Sequence, residues 1–423
     1  MPLLSNKQAR IWPQVTEQPA RWNVHVGAVQ SGKTHLNFLV KAHRMLNLPP
    51  GNCMLIGKSI GSYERNVLQP MRAMFGEARV STLSSRSTVK LFGRKCQVFG
   101  ASDESAINAI QGFQGVYLDG DEFVLWPETF FRMVGTRLSK PGAIADLTCN
   151  PASPRHWAKA WIDATPNLQY FEYQLDDNPF LDPAYVADVK ASCAGVWYDR
   201  YVLGKWCVAD GAIYDMFDER RHVVSECPPC SRYWVGVDYG AINPSVFLLI
   251  GQHGANYYVV DEWSWDSKKQ HRQLTEDQLV KAMGDFLRGH AADEQEFLEP
   301  DSILCDPSAA GLINALRVDG WYCGDTDNDV ISGIRTVGSL FNTDRLFAHE
   351  RCKRLRDELA GYLWDPKAAE RGDDAPIKRD DHAVDPLRYV LQTVGPTCIP
   401  LASAHIDVPD AWNAYRADRK GIW

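Results

Sequence analysis

The chain has 423 residues, 45% apolar and 23% charged, with 31 glycines and 24 prolines, which excludes disordered and collagen-like classes and leaves room for two or three domains with buried cores. Lys and Arg number 45 against 53 Asp and Glu, a net charge of -8, the wrong sign for coating nucleic acid without selectivity, so any DNA contact has to be local. No apolar run approaches the roughly 18 residues a membrane span needs, and the N-terminal stretch MPLLSNKQARIWPQ is too polar for a signal peptide, so a soluble, unexported protein with no membrane contact is expected.

Apolar strand-like runs at 23–29, 53–57, 96–101, 115–119 and 143–149 alternate with amphipathic stretches, among them a helix over Thr34–Leu46. That alternation predicts an α/β domain with a mainly parallel sheet over 1–168. Between 169 and 230 the texture changes to Asp177-Asn-Pro, a helical stretch over Ala184–Leu203 and a Cys227-Pro-Pro-Cys230 turn, which predicts a short linker subdomain. The single CxxC lacks a second pair to complete a zinc site, and an odd cysteine total without a secretory signal fits reduced thiols. Strand patterns resume at 233–240, 245–251 and 256–265, followed by a helix over Leu274–Leu287, a strand ending at Asp306 and a helical C-terminal part. These predict a second α/β domain over 231–400 and a tail over 401–423.

Gly27-Ala-Val-Gln30-Ser31-Gly32-Lys33-Thr34 follows an apolar strand and precedes a helical pattern, the context that G-x-x-x-x-G-K-[ST] requires. The glycines and the helix N-terminus turn N–H groups toward a polyphosphate, Lys33 reaches the β and γ oxygens, and the Thr34 hydroxyl suits Mg²⁺. ATP with Mg²⁺ is the expected ligand. A hydrolase also needs an acidic pair at a neighbouring strand end, and Gly115-Val-Tyr-Leu-Asp119-Gly-Asp121-Glu122 offers one. Asp121 is favoured for the metal and Glu122 as catalytic base, with Asp119 the alternative metal ligand.

Trp126-Pro-Glu, Gly135-Thr-Arg137-Leu-Ser and Leu147-Thr148-Cys-Asn150-Pro follow in order, and together with the loop and the acidic strand they resemble the large terminase subunit of tailed bacteriophages. The resemblance covers about residues 5–395. It implies an N-terminal P-loop ATPase and a C-terminal RNase H-like nuclease domain, in a motor that drives double-stranded DNA into a procapsid and cuts the concatemer. It further implies a coupling motif at Thr148–Asn150, an adenine-side segment at Gln8 and Arg10, and an arginine finger at Arg137 acting in trans within a homo-oligomeric ring. Many relatives carry Arg where this chain has Gln30, so that charge must come from elsewhere. The implied partners are double-stranded DNA, the portal protein and the small terminase subunit, and the implied place of action is the host cytoplasm, transiently at the procapsid portal vertex. Arg200, Gly204 and Trp206 resemble the family's passage into the nuclease and are expected to pack rather than react.

In the second domain, Asp238 follows an apolar run, Asp306 ends another, and Asp381-His382-Ala-Val-Asp385 offers further acids. Three carboxylates from distant segments suit two Mg²⁺ or Mn²⁺ ions in phosphodiester cleavage. The resemblance places the nuclease acids at Asp238, Asp306 and Asp385, with Asp381 second to Asp385 and expected on a solvent-facing charged run, and His382 as auxiliary ligand or proton carrier. The basic run Arg351–Arg356 is either a solvated helix face or a phosphate-contacting one. Two other readings remain open: an ATP-dependent translocase with a non-cutting second domain, and an ATP-switched assembly factor.

Overall fold

Seven strands form the first sheet: β1 (Trp22–Gly27), β2 (Asn52–Gly57), β3 (Thr88–Leu91), β4 (Arg94–Gly100), β5 (Gly115–Gly120), β6 (Ile144–Cys149) and β7 (Leu168–Tyr173), in the order β3-β4-β2-β5-β6-β1-β7. A computed structural model describes residues 4–240, 243–290 and 298–395; the tail expected at 401–423 lies outside the described residues. These residues divide into two compact units, 4–186 with Tyr198–Val208 and Ala187–Trp197 with 209–395.

In the first unit every ladder is parallel except β3 with β4. β1 and β5 are buried along their whole lengths, as strands covered on both faces must be. Leu168–Tyr173, at the junction expected between ATPase domain and linker, is the edge strand beside β1. The Lys33–Asn47 helix follows the loop at the end of β1, and three of its residues determine how it lies on the sheet. Asn37 donates to Asp119 Oδ1 (2.9 Å), Lys41 pairs with Asp119 Oδ2 (2.8 Å), and Arg44 binds both oxygens of Asp146 (3.0 and 3.1 Å). Lys33, at its N-terminus, is thereby presented to the ends of β5 and β6. The helix expected over Ala184–Leu203 is two helices, Pro183–Ser192 and Gly195–Tyr201. The break falls at Cys193–Ala194, and Gly195, which opens the second helix, has a φ of +51° that a continuous helix could not carry through its interior.

The second unit is built on β8 (Val223–Val224), β9 (Arg232–Asp238), β10 (Ser245–His253), β11 (Asn256–Trp265), β12 (Ser302–Cys305) and β13 (Leu346–His349), ordered β12-β9-β10-β11-β13-β8. β9, β10 and β11 form an antiparallel meander, and β12 and β13 join it in parallel. Alternation along β9 sends Val235 and Val237 into a core shared with the Glu276–Arg288 and Ala310–Val318 helices. Gly236 faces the other way, where a Cβ would stand 2.5 Å from the Pro386 carbonyl oxygen. That missing side chain lets the Val384–Val394 helix lie directly on β9. No helix among the described residues is long and apolar enough to cross a membrane.

The Lys41–Asp119 pair has side-chain exposure of 1% on both partners, so removing one leaves an uncompensated buried charge. Lys41→Met is expected to destabilise the first unit by about 3–5 kcal/mol in urea unfolding followed by Trp fluorescence; a loss below about 1 kcal/mol would mean the pair is not a structural tie.

Candidate functional site

The loop between β1 and the Lys33–Asn47 helix is held open by its own backbone. Gly32 is the helix N-cap at φ +87° with no side-chain cap, so the first-turn N–H groups face outward as an anion cradle. Gln30 also has positive φ, +52°, and its carbonyl accepts from Asn178 Nδ2 (2.7 Å). Ser31 Oγ donates back to the Ala28 carbonyl (2.8 Å), and Gly27 closes β1. Gly204 packs against the loop from outside, where a Cβ would lie 3.1 Å from Ala28 N and 2.1 Å from Tyr173 O. Trp206 donates to the Tyr170 hydroxyl (3.0 Å) and Arg200 to the Cys207 carbonyl (2.6 Å).

Lys33 is buried, and its ammonium donates to the carbonyls of Gly27 (3.3 Å) and Ala28 (2.9 Å) and to Asn150 Oδ1 (2.7 Å). Burial lowers its pKa, opposed by the nearby Glu122 and Asp121. Thr34 follows on the first helical turn, half-buried. Gln8 is not free beside the loop: its Nε2 donates to the Gly32 carbonyl (2.8 Å) and its Oε1 accepts from Ser5 N (2.8 Å) in a capping box.

The acidic strand separates into two environments. Asp119 points into the core, where Asn37, Lys41 and the Tyr63 hydroxyl (2.5 Å) saturate it. Asp121, just past β5, accepts from Thr148 Oγ1 (2.9 Å). Burial and the adjacent Glu122 push its pKa up to about 7, opposed by that hydrogen bond. Glu122 adopts φ +53° and ψ +45°, a left-handed conformation that costs a non-glycine residue about 1 kcal/mol or more. Glu122 stands near enough to Lys33 for its charge to act on the ammonium. The structure thus gathers Lys33, Asp121, Glu122, Thr148 and Asn150 and leaves Asp119 outside. Arg137 is not among them: it ends the Glu128–Arg137 helix, its Nη2 reaches Met133 Sδ (3.0 Å), and the next carbonyl, of Leu138, binds Arg21 at the opposite end of β1 from the loop.

In the second unit Asp238 ends β9 on the face of Gly236. Because Cys305 pairs with Val237, Asp306 comes level with Asp238, and the close-packed Val384–Val394 helix brings Asp385 in its first turn. Asp238 Oδ2 bonds His382 Nδ1 (2.9 Å). Burial raises the Asp238 pKa against that bond, while the bond from Asp238 raises that of His382. Burial also works to raise the Asp306 pKa, but hydrogen bonds from Ser308, Asn328 and Tyr389 outweigh it and hold the carboxyl low. The Tyr389 hydroxyl lies 3.4 Å from Asp385 Oδ2 and 3.5 Å from Asp306 Oδ2. Asp381 corrects its sequence reading: it is buried at 9% exposure rather than solvent-facing, in the turn before the helix, and burial together with Asp385 raises its pKa. Its carbonyl accepts from Asp385 N (2.9 Å). Among the described residues no three His, Cys, Asp or Glu groups close on one point as a single metal's shell would.

No protein-family profile and no curated protein matches the sequence. The structure is similar to that of the large terminase from a thermophilic bacteriophage, at TM-score 0.85 and 32% identity, covering 93% of this chain and 99% of that one. The same phage protein matches in complex with ADP at TM-score 0.83 and 31% identity, over 92% and 99% of the two chains. Its complex with ATP-gamma-S matches at 0.82 and 32%, over 93% and 99%. The chain belongs to the large terminases. It is accordingly a DNA-packaging ATPase.

Sequence reasoning missed several residues that shape the sites of this terminase. Asn178, Arg388, Asn328 and Glu358 carry no motif. Glu358 caps the Val384–Val394 helix by accepting from Ala383 N (2.5 Å) and Val384 N (3.2 Å), and only the tertiary fold reveals it. The basic run is tied up in ion pairs: Arg351 with Asp261, Lys353 with Asp357, Arg354 with Glu358 and Arg356 with Glu219. Cys227 and Cys230 are free, half-buried thiols.

His382 holds its proton more tightly in the folded chain than in the unfolded one, so its pairing with Asp238 stabilises the fold fully below the unfolded pKa of about 6.5 and loses that contribution as pH rises through the folded value. The melting-temperature gap between the parent and His382→Gln should therefore shrink as pH rises above about 6.5; a constant gap would mean the pair does not titrate there.

Proposed function

We propose that this large terminase hydrolyses ATP at the Gly27–Thr34 loop to translocate double-stranded DNA into a procapsid, and that its second unit cleaves concatemeric DNA as an RNase H-like endonuclease. The observation that carries the first half is the Lys33 ammonium bonded to Asn150 Oδ1, with Thr148, two residues before, bonded to Asp121. Phosphate-binding lysine, acidic strand and coupling strand are thereby one hydrogen-bonded set. The β and γ oxygens of ATP take over the ammonium from the loop carbonyls and Asn150, which frees the Asn150 amide to report the nucleotide state along β6.

Thr34 and Asp121 fit a Mg²⁺ ion, since one is a hydroxyl on the first helical turn and the other a buried carboxylate just past the end of β5. When bound, the ion supplies charge neutralisation on the phosphate oxygens. Glu122 accepts the proton of the attacking water on its carboxylate, and its left-handed backbone fixes where that oxygen points. Gln8 supports the adenine side by bracing Gly32. Arg137, far from its own loop, would serve a neighbouring subunit of a homo-oligomeric ring on the portal.

For cleavage, Asp238, Asp306 and Asp385, with Asp381 beside them, fit Mg²⁺ or Mn²⁺ shared between pairs of carboxylates and completed by water, since Mg²⁺ keeps several waters and needs only one or two carboxylates. Two such ions would supply a metal-activated water and stabilise the leaving oxygen. His382 holds Asp238 in place and is sited to carry a proton. The functional division would be ATPase over 1–168, linker over 169–230 and nuclease over 231–400. The partners would be DNA, portal protein and small terminase subunit, in the host cytoplasm and transiently at the procapsid portal vertex.

Lys33→Ala should abolish DNA-stimulated ATP turnover, and Glu122→Gln should retain ATP binding while losing at least about 100-fold in turnover, with plasmid nicking in Mn²⁺ intact for both. Normal turnover in Glu122→Gln would remove it as the base. Conversely, Asp238→Asn, Asp306→Asn and Asp385→Asn should each lower EDTA-sensitive nicking by about 100-fold or more and spare ATP turnover. Parent protein that turns over ATP but never nicks would favour a translocase or assembly switch with a non-cutting second domain.

A further inference from the structure

Arg388 is 1% exposed, and an arginine is rarely buried to that degree without a fixed partner. The fold makes room for it: at Gly333, in the Val330–Asn342 helix, a Cβ would stand 2.1 Å from Arg388 Cγ. The guanidinium has two occupied prongs. Nη2 donates to Asp385 Oδ1 (2.9 Å) and Nη1 to the main-chain carbonyl of Asn328 (2.9 Å), while Nε has no partner. Asn328 in turn donates through Nδ2 to Asp306 Oδ2 (3.1 Å). The Tyr389 hydroxyl spans the remaining gap between Asp306 Oδ2 and Asp385 Oδ2. The path from Asp385 through Arg388, Asn328, Asp306 and Tyr389 returns to Asp385.

We propose that Arg388 is a positioning residue, which with Asn328 forms a bracket that fixes Asp306 relative to Asp385 and presents Asp385 through Oδ2 alone to a divalent cation. This rests on the nuclease reading of the acidic cluster and adds how its ligands are held. Two carboxylates facing one space repel each other and would splay apart before any cation arrives. The bracket opposes that splaying with a buried cation on the far side of Asp385, and it does so by the planar geometry of the fork. A lysine at this position would keep the charge but could not hold both Asp385 and the Asn328 carbonyl in one plane.

The test is Mn²⁺ binding by calorimetry on the full chain, with nicking and ATP turnover measured alongside. Arg388→Lys should weaken Mn²⁺ binding by about 10-fold, the loss typical of removing a residue that orients a metal ligand, and saturating Mn²⁺ should restore part of the nicking rate. Asn328→Ala, at an exposed position that folding tolerates, should weaken Mn²⁺ binding by a smaller factor in the same direction, and ATP turnover should be unchanged in both. Parental Mn²⁺ affinity in Arg388→Lys would overturn the bracket and leave charge alone as the role of Arg388. If Arg388→Lys does not fold, Asn328→Ala decides, and parental affinity there overturns the bracket equally. A parent chain that neither binds Mn²⁺ nor nicks DNA would overturn the nuclease reading together with the bracket, an outcome distinct from a binding parent with unaffected variants.

Discussion

The first unit depends on two buried ion pairs on one face of one helix. Lys41 with Asp119 and Arg44 with Asp146 tie the Lys33–Asn47 helix to β5 and β6 respectively. Each partner is removed from water at a cost of several kcal/mol that its mate must offset, so neither pair can be exchanged for a looser contact without a large penalty. Apolar packing alone would let the helix slide or roll by small amounts at little cost. Charges paired to two different strands prevent both motions, and Tyr63 and Tyr117, each donating to one of the carboxylates, fix the acids in turn. Lys33, Asp121 and Asn150 are the free ends of these three elements, and their spacing follows from the pairs beneath.

The second unit reaches a similar end by different means. Its acids stand on two adjacent parallel strands and one helix, and the helix approaches because Gly236 has no side chain. Glu358 caps that helix at its N-terminus, so the first turn bearing Asp385 is held both by backbone packing and by a carboxylate accepting its N–H groups. Buried charge serves position here as well, with Arg388 taking the part that Lys41 and Arg44 play in the first unit.

The mainly parallel sheet and the phosphate loop were legible because both are written locally: apolar runs of strand length, and eight consecutive residues whose types match one loop geometry. The choice between Asp119 and Asp121 was not. Alternation alone predicts that the two, a strand period apart, point the same way; what separates them is that β5 ends at Gly120, before Asp121, and that Lys41 and Asn37 come in on Asp119 from a helix some 80 residues earlier. The break before Gly195 could have been read from the glycine itself, whereas the burial of Asp381 could not, since a run of GDDAPIKRDD looks solvated until its end runs into the Val384–Val394 helix, where the Asp381 carbonyl accepts from Asp385 N. Gly333, Asn328 and Arg388 are ordinary residues in the sequence, and their meaning lies in contacts separated by dozens of residues.

The central claim is that the acidic strand divides its labour, with Asp119 holding the helix and the Asp121-Glu122 pair serving the nucleotide. ATP turnover of Asp119→Asn and Asp121→Asn, compared at a temperature where circular dichroism shows both folded, tests it most directly. The account predicts turnover within a few-fold of the parent for Asp119→Asn, at a lowered melting temperature, and turnover lower by about 100-fold or more for Asp121→Asn. An inactive, fully folded Asp119→Asn beside an active Asp121→Asn would contradict it.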